Sequence, residues 1–149
     1  SNFTSSKAKS RDAARVSDLA QIQLALSLYF DRCNAYPGTI TISSSGGGCS
    51  SNFGEYISVV PLDPTSKLSY IYRTNAASVN QMTATTYLLA TVLEENNQNV
   101  LADSVKTIPN ASAVAIKSGG GSGALPASIQ SSGGNITACS GQAYCVLPN

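Results

Sequence analysis

Between Ser5 and Cys33 the chain contains no proline and no glycine, and the next helix breakers are Pro37 and Gly38. Ala, Leu, Gln, Arg and Lys dominate the stretch, so it predicts one long helix. At 1.5 Å per residue such a helix runs about 40 Å, longer than a small domain is wide. Its apolar residues fall into two rows. Leu19, Ile22, Leu26, Tyr29 and Cys33 recur at spacings of three and four, with Phe30 on the same flank, and predict the helix–sheet core. Val16, Ala20, Leu24 and Leu28 form a second row at i+4 spacing, roughly 120–180° away around the axis. A surface helix needs one stripe to pack on one core, so two predict two partners, one inside the molecule and one outside it. Lys7, Lys9, Arg11, Asp12 and Arg15 leave little that could enter a core. The expectation is a helix that starts outside the globular body and enters it near Val16.

The 149 residues suit one domain with one core. Within it, residues 1–33 read as the helix spine, 34–66 as a helix-to-sheet loop region, and 67–149 as sheet and C-terminal loops. Charged residues make up 11%, about half the usual share. A net charge of +1 provides no field of the kind that marks a strongly basic nucleic-acid binder. Ser, Thr, Asn, Gln and Gly carry the polarity, which suits a secreted or surface protein. No apolar run reaches the length of a membrane span, and none reads as a signal peptide. A chain trimmed of a targeting or membrane segment would open with Ser1-Asn2-Phe3 directly before a helix, and so would a natural soluble terminus. Cys33, Cys49, Cys139 and Cys145 make an even count, which favours disulfides in an oxidising compartment. Three connectivities are possible, of which local pairing (Cys33 with Cys49, Cys139 with Cys145) is favoured. A zinc site has no Cys-x-x-Cys and no His to build on.

After the helix, Asn34-Ala35-Tyr36-Pro37-Gly38 is a stop signal. Residues 39–42 predict a short extended piece, 43–51 a glycine-rich loop, and 53–60 a helical turn. Pro61-Leu62-Asp63-Pro64 forces extended backbone and a turn. From Lys67 the period becomes two: Leu68, Tyr70 and Tyr72 alternate with Ser69, Ile71 and Arg73. Residues 85–93 predict the best-buried strand, paired with the first as an antiparallel hairpin across a longer-than-tight loop. Residues 100–103 and 113–116 read as a helical turn or an edge strand. The Gly/Ser-rich 118–134 reads as a surface loop tied back to the sheet. The fold class is α+β: a long N-terminal helix on a small antiparallel sheet.

Without His, neither a Ser-His-Asp nor a Cys-His arrangement can form. Glu94 and Glu95 are adjacent and would point to opposite faces, so they make no catalytic pair, and no cofactor is expected. Asp63, Glu94, Glu95 and Asp103, with Asn96, Asn97 and Asn99, could offer calcium its oxygen ligands, though without an Asp-x-Asp spacing. The glycine runs 46–48 and 119–121 lack the context of a phosphate loop. Lys7, Lys9, Arg11 and Arg15 could meet anionic lipid or nucleic acid, and read otherwise as the solvated part of a projecting helix. Three glycosylation triplets begin at Asn2, Asn110 and Asn135. The aromatics Tyr29, Phe30, Tyr70, Tyr72 and Tyr87 sit at core periodicities.

Residues 13–30 (Ala-Ala-Arg-Val-Ser-Asp-Leu-Ala-Gln-Ile-Gln-Leu-Ala-Leu-Ser-Leu-Tyr-Phe), followed by Asn34-Ala35-Tyr36-Pro37, resemble the lower half of the long helix of type IV pilins and of the pseudopilins of type II secretion. Val60-Pro61-Leu62-Asp63-Pro64, then Tyr70-Ile71-Tyr72, then residues 87–94 are similar to the sheet region of the major pseudopilins. The resemblance covers about residues 8–95. It implies a pilin-like fold and a non-enzymatic subunit that polymerises through its N-terminal helix into an extracellular filament. The alternatives it leaves are a major-type pseudopilin of a secretion system and a minor, tip-located pilin acting as adhesin or DNA-binding module. It further implies homo-polymeric partners, related minor pilins, an assembly machinery, and membrane anchoring before assembly through a hydrophobic segment upstream. Val16, Ala20, Leu24 and Leu28 would then meet neighbouring helices, and Cys139 with Cys145 would match the family's C-terminal disulfide loop. Two features depart from the family pattern. Residues 117–149 hold no Asp or Glu for the calcium loop of major pseudopilins, and a Cys33–Cys49 pair lies outside the common pilin arrangement.

Overall fold

The structure is a computed structural model that describes residues 2–45, 49–81 and 83–149. The three glycines at 46–48, expected as part of a loop, lie outside the described residues. Helix α1 (Asn2–Cys33) is the long N-terminal helix. It ends where Asn34 takes a left-handed conformation (φ 55°) and returns its N–H to the Phe30 carbonyl at 2.7 Å. That is the C-terminal cap expected of Asn before a Pro-containing stop.

Strands β1 (Ile71–Thr74) and β2 (Tyr87–Val92) pair antiparallel, with Ile71 opposite Ala90 and Thr74 opposite Tyr87. Strand β5 (Ala143–Val146) adds to the other edge of β2, giving the order β1-β2-β5. Strands β3 (Ile129–Ser132) and β4 (Asn135–Cys139) form a separate two-stranded ribbon. A single helical turn, α2 (Gln98–Leu101), follows β2, its first N–H groups capped by the Asn97 side chain. The expected extended piece at 39–42 is a turn, and residues 53–55 form a 3-10 turn.

The molecule has three layers, and side-chain alternation assigns each strand residue to one of two cores. Tyr72, Tyr87, Leu89 and Tyr144 face α1 and pack with Leu19, Ile22, Leu26 and Tyr29. Ile71, Leu88, Ala90, Ala143 and Cys145 face the ribbon and pack with Ile108, Ile116, Ile129 and Ile136. Strand β1 is buried throughout, because the ribbon and residues 104–117 cover the side turned away from α1. The apolar run of β2 is the mark of a strand buried on both faces.

Both disulfides pair locally: Cys33 with Cys49 (Cα–Cα 5.5 Å) and Cys139 with Cys145 (6.6 Å). The first fastens the helix end to the following loop. The second ties β4 to β5 and so holds ribbon to sheet. Loop closure alone makes these worth about 3 and about 2 kcal/mol.

The Gly/Ser segment is more ordered than its composition suggests. Gly133 and Gly134 have positive φ (60° and 82°) and make the two-residue turn between β3 and β4. Residues 118–123 lie against β1: Tyr72 and Ser122 exchange backbone hydrogen bonds of 2.9 and 3.0 Å. The Arg73 guanidinium donates to the Ser118, Tyr72, Ser122 and Gly123 carbonyls. Gly121 sits at φ 70°, where a Cβ would run into the Tyr72 carbonyl. Gly121→Ala should therefore lower the unfolding free energy by about 2 kcal/mol, whereas Gly119→Ala, with open space around it, should leave it nearly unchanged. Urea unfolding of the two variants checks this; equal midpoints would mean the loop does not brace β1.

Candidate functional site

The outward side of α1 and the groove along its flank are the surface in question, and how α1 is seated decides what they present. Leu19, Ile22, Leu26 and Tyr29 are fully buried against the sheet, and Cys33 is half-buried. Gln23 donates from Nε2 to the Tyr87 hydroxyl and to the Leu147 carbonyl, both at 3.0 Å. The Tyr70 hydroxyl donates to Asp18 at 2.6 Å, and burial together with that carboxylate pushes its pKa well up.

The seating extends two turns further toward the N-terminus than the apolar pattern predicts. Ala8, Asp12 and Arg15 are all buried, so α1 meets the body well before Val16. The contact is ionic. Arg15, 3% exposed, reaches Asp63 at 2.7 Å, Asp12 at 2.9 Å and Glu94 at 2.6 Å. Arg11 holds the same Glu94 through two hydrogen bonds of 2.6 and 2.7 Å. Asp12 accepts the backbone N–H groups of Glu94 and Glu95, each at 2.9 Å. Expecting Arg11 and Arg15 on a solvated, projecting helix is thus corrected: both are committed to carboxylates supplied by loops far away in sequence. Lys7 and Lys9 remain exposed, and the Lys7 ammonium lies 4.4 Å from the centre of the Phe3 ring.

Several of the residues considered for calcium are engaged by other protein groups. Asp63 and Glu94 do converge, but on Arg15; Glu95 accepts from Ser5 at 3.1 Å, and Asn97 caps α2. Among the described residues no cluster of three or more His, Cys, Asp or Glu side chains is arranged for a metal ion.

Of the second row, Leu24 is 64% and Leu28 43% exposed, and Ala20 is exposed. Val16 differs: it is half-buried and packs against the core. The cause is helix geometry. Each i+4 step advances about 40° beyond a full turn, so the row leaves the core edge at Val16 and winds into solvent by Leu28. Beside its lower half runs a largely apolar cleft of about 490 Å³, whose lining includes Ala13, Val16, Ala20, Leu93 and Val100 together with Lys9, Asp12 and Glu95. Exposed residues 13–28 of α1 (Ala13, Ala14, Ser17, Ala20, Gln21, Leu24, Ser27, Leu28) carry no charge, although a solvent face normally does.

Among the described residues no helix is long and apolar enough to cross a membrane. Comparison of the chain with family models, with curated proteins and with solved structures finds no match.

The Arg15 cluster carries a pH signature. Hydrogen bonds from Arg15 lower the Asp63 pKa to about 2, and those from Arg11 and then Arg15 lower that of Glu94 to about 2. Because both are depressed in the folded state, their stabilisation is complete above the ordinary carboxylate range and is lost as pH falls from about 4 toward 2. The urea midpoint should drop over that interval, and Arg15→Met should flatten the drop. The same variant should cost about 3 kcal/mol at neutral pH, since it leaves Asp12 buried without its cation. An unchanged acid profile in Arg15→Met would remove the cluster from the account of how α1 is held.

Proposed function

We propose that the chain is the globular part of a filament subunit of the type IV pilin and pseudopilin kind, polymerising through its N-terminal helix and acting structurally rather than as an enzyme. The observation that carries this reading is the uncharged outward face of α1 over residues 13–28, with Leu24 and Leu28 exposed on a helix whose other side is locked to the body. A helix that only covered a core would be expected to bear charge there. The long helix on an antiparallel sheet and the Cys139–Cys145 loop are consistent with the family resemblance of residues 8–95. On this reading a hydrophobic segment continues α1 upstream, anchors the precursor in the cytoplasmic membrane, and packs the filament centre at the bacterial surface. The copies recruit one another, related minor pilins and an assembly machinery. A pilus subunit fits better than a major pseudopilin, because residues 117–149 lack the acidic residues of a calcium loop.

Leu24→Glu tests the reading. The site is exposed, so stability of the isolated chain should change by no more than about 0.5 kcal/mol, while the full-length protein should no longer enter filaments. If the variant unfolds the chain, or if it assembles normally, the outward row is not the polymer contact. Sparse incorporation at filament ends combined with glycan or DNA binding would favour the tip-module alternative. The upstream codons provide a second check: a leader followed by about twenty apolar residues running into α1 supports a pilin, and a plain secretory signal overturns it.

A further inference from the structure

The outward face of α1 is its own complement. Measured from Ala20, Val16 and Leu24 lie four residues to either side, Ala13 and Ser27 seven, and Lys9 and Asp31 eleven. Lys9 and Asp31 are exposed, and neither forms an ion pair among the described residues. The cleft lies on the N-terminal half of this face, and the projecting Leu24 and Leu28 occupy the C-terminal half. A groove and a ridge therefore sit on one helix, closed at the two ends by opposite charges.

We infer that two copies of this chain pair through this face about a two-fold axis, with their α1 helices antiparallel. Ala20 meets Ala20 of the second copy, Leu24 of each copy lies level with Val16 of the other, and Lys9 reaches Asp31 at both ends. An isologous contact requires a self-complementary patch, and the unpaired, opposite charges of Lys9 and Asp31 at equal distances from Ala20 supply one. Each half spans 11 residues, about 16 Å along the axis. Ala13, Ser17 and Ala20 are small enough for two helix axes to approach to roughly 8–10 Å. A parallel, in-register pair would instead set Lys9 beside Lys9 and Asp31 beside Asp31. Asp31 also stands in the last turn of α1, where the helix dipole disfavours a carboxylate, and the incoming ammonium offsets that. This pairing goes beyond the filament reading and does not rest on it. It uses a surface that filament packing would also need, so pairing of free subunits and polymerisation are alternatives for the same face.

The test uses the chain itself. Ala20→Cys should form a disulfide-linked dimer under mild oxidation at tens of micromolar, whereas Ala14→Cys, on another side of α1, should stay monomeric. Sedimentation equilibrium should show dimerisation weakened about tenfold by Lys9→Glu and by Asp31→Lys, and restored when both charges are exchanged in one chain. Unchanged circular dichroism keeps misfolding out of the comparison. A chain monomeric at millimolar concentration overturns the pairing, as does a charge exchange that fails to restore it. A Lys9→Cys chain that cross-links to an Asp31→Cys chain while Ala20→Cys stays monomeric means a staggered parallel contact and also overturns it. Each of these failures leaves the filament reading standing, because that is judged by Leu24→Glu in the full-length protein.

Discussion

Arg15 joins the helix to the rest of the molecule by charge where the apolar stripe has run out. Its guanidinium draws together a carboxylate from its own helix, one from the Pro-Leu-Asp-Pro loop and one from the end of β2. Asp12 adds a second tie by taking the backbone N–H groups just past β2. A buried cation is tolerable only when its partners are in place, so the loop at 63 and the turn at 94 must form for α1 to lie where it does. Without this clamp the helix before Val16 would be held by little more than the burial of Ala8 and the Ser5–Glu95 hydrogen bond.

The clamp and the apolar stripe together fix the rotation of α1 about its own axis, and rotation decides which residues face outward. With Leu19, Ile22, Leu26 and Tyr29 turned to the sheet, Leu24 and Leu28 have no place to go but solvent. The neighbouring cleft exists because Val100 and Leu93 come up beside Val16 without covering Ala20. Sheet and ribbon matter to this surface indirectly. Buried on both faces and tied by Cys139–Cys145, β2 and β5 form a rigid floor for the helix.

Much of this was legible along the chain, because helix periodicity and strand alternation are local signals. The Leu19-to-Tyr29 stripe and the β1–β2 hairpin belong to that class. The β3–β4 ribbon had a local signal too, since a Gly133-Gly134 pair between Ile129 and Ile136 is the mark of a two-residue hairpin; the abundance of Gly and Ser around it read as loop. Other features had no such signal. Burial of the second face of β1 depends on residues 104–117 and 129–139 folding back over it. The partners of Arg15 lie 48 and 79 positions away; its place four residues before Leu19 puts it on the buried stripe, but nothing nearby shows which carboxylates it would meet.

By itself the sequence determined one long helix with a core stripe and an outward row, a small antiparallel sheet, and cysteines placed for local pairing. All of these follow from periodicity, helix breakers and spacing over a few residues. Only the tertiary structure decided where the helix meets the body, which of its charges are consumed there, and where the i+4 row parts from the core. Those outcomes depend on groups brought together from distant positions, whose mutual burial and charge pairing have no counterpart in any short stretch of the chain.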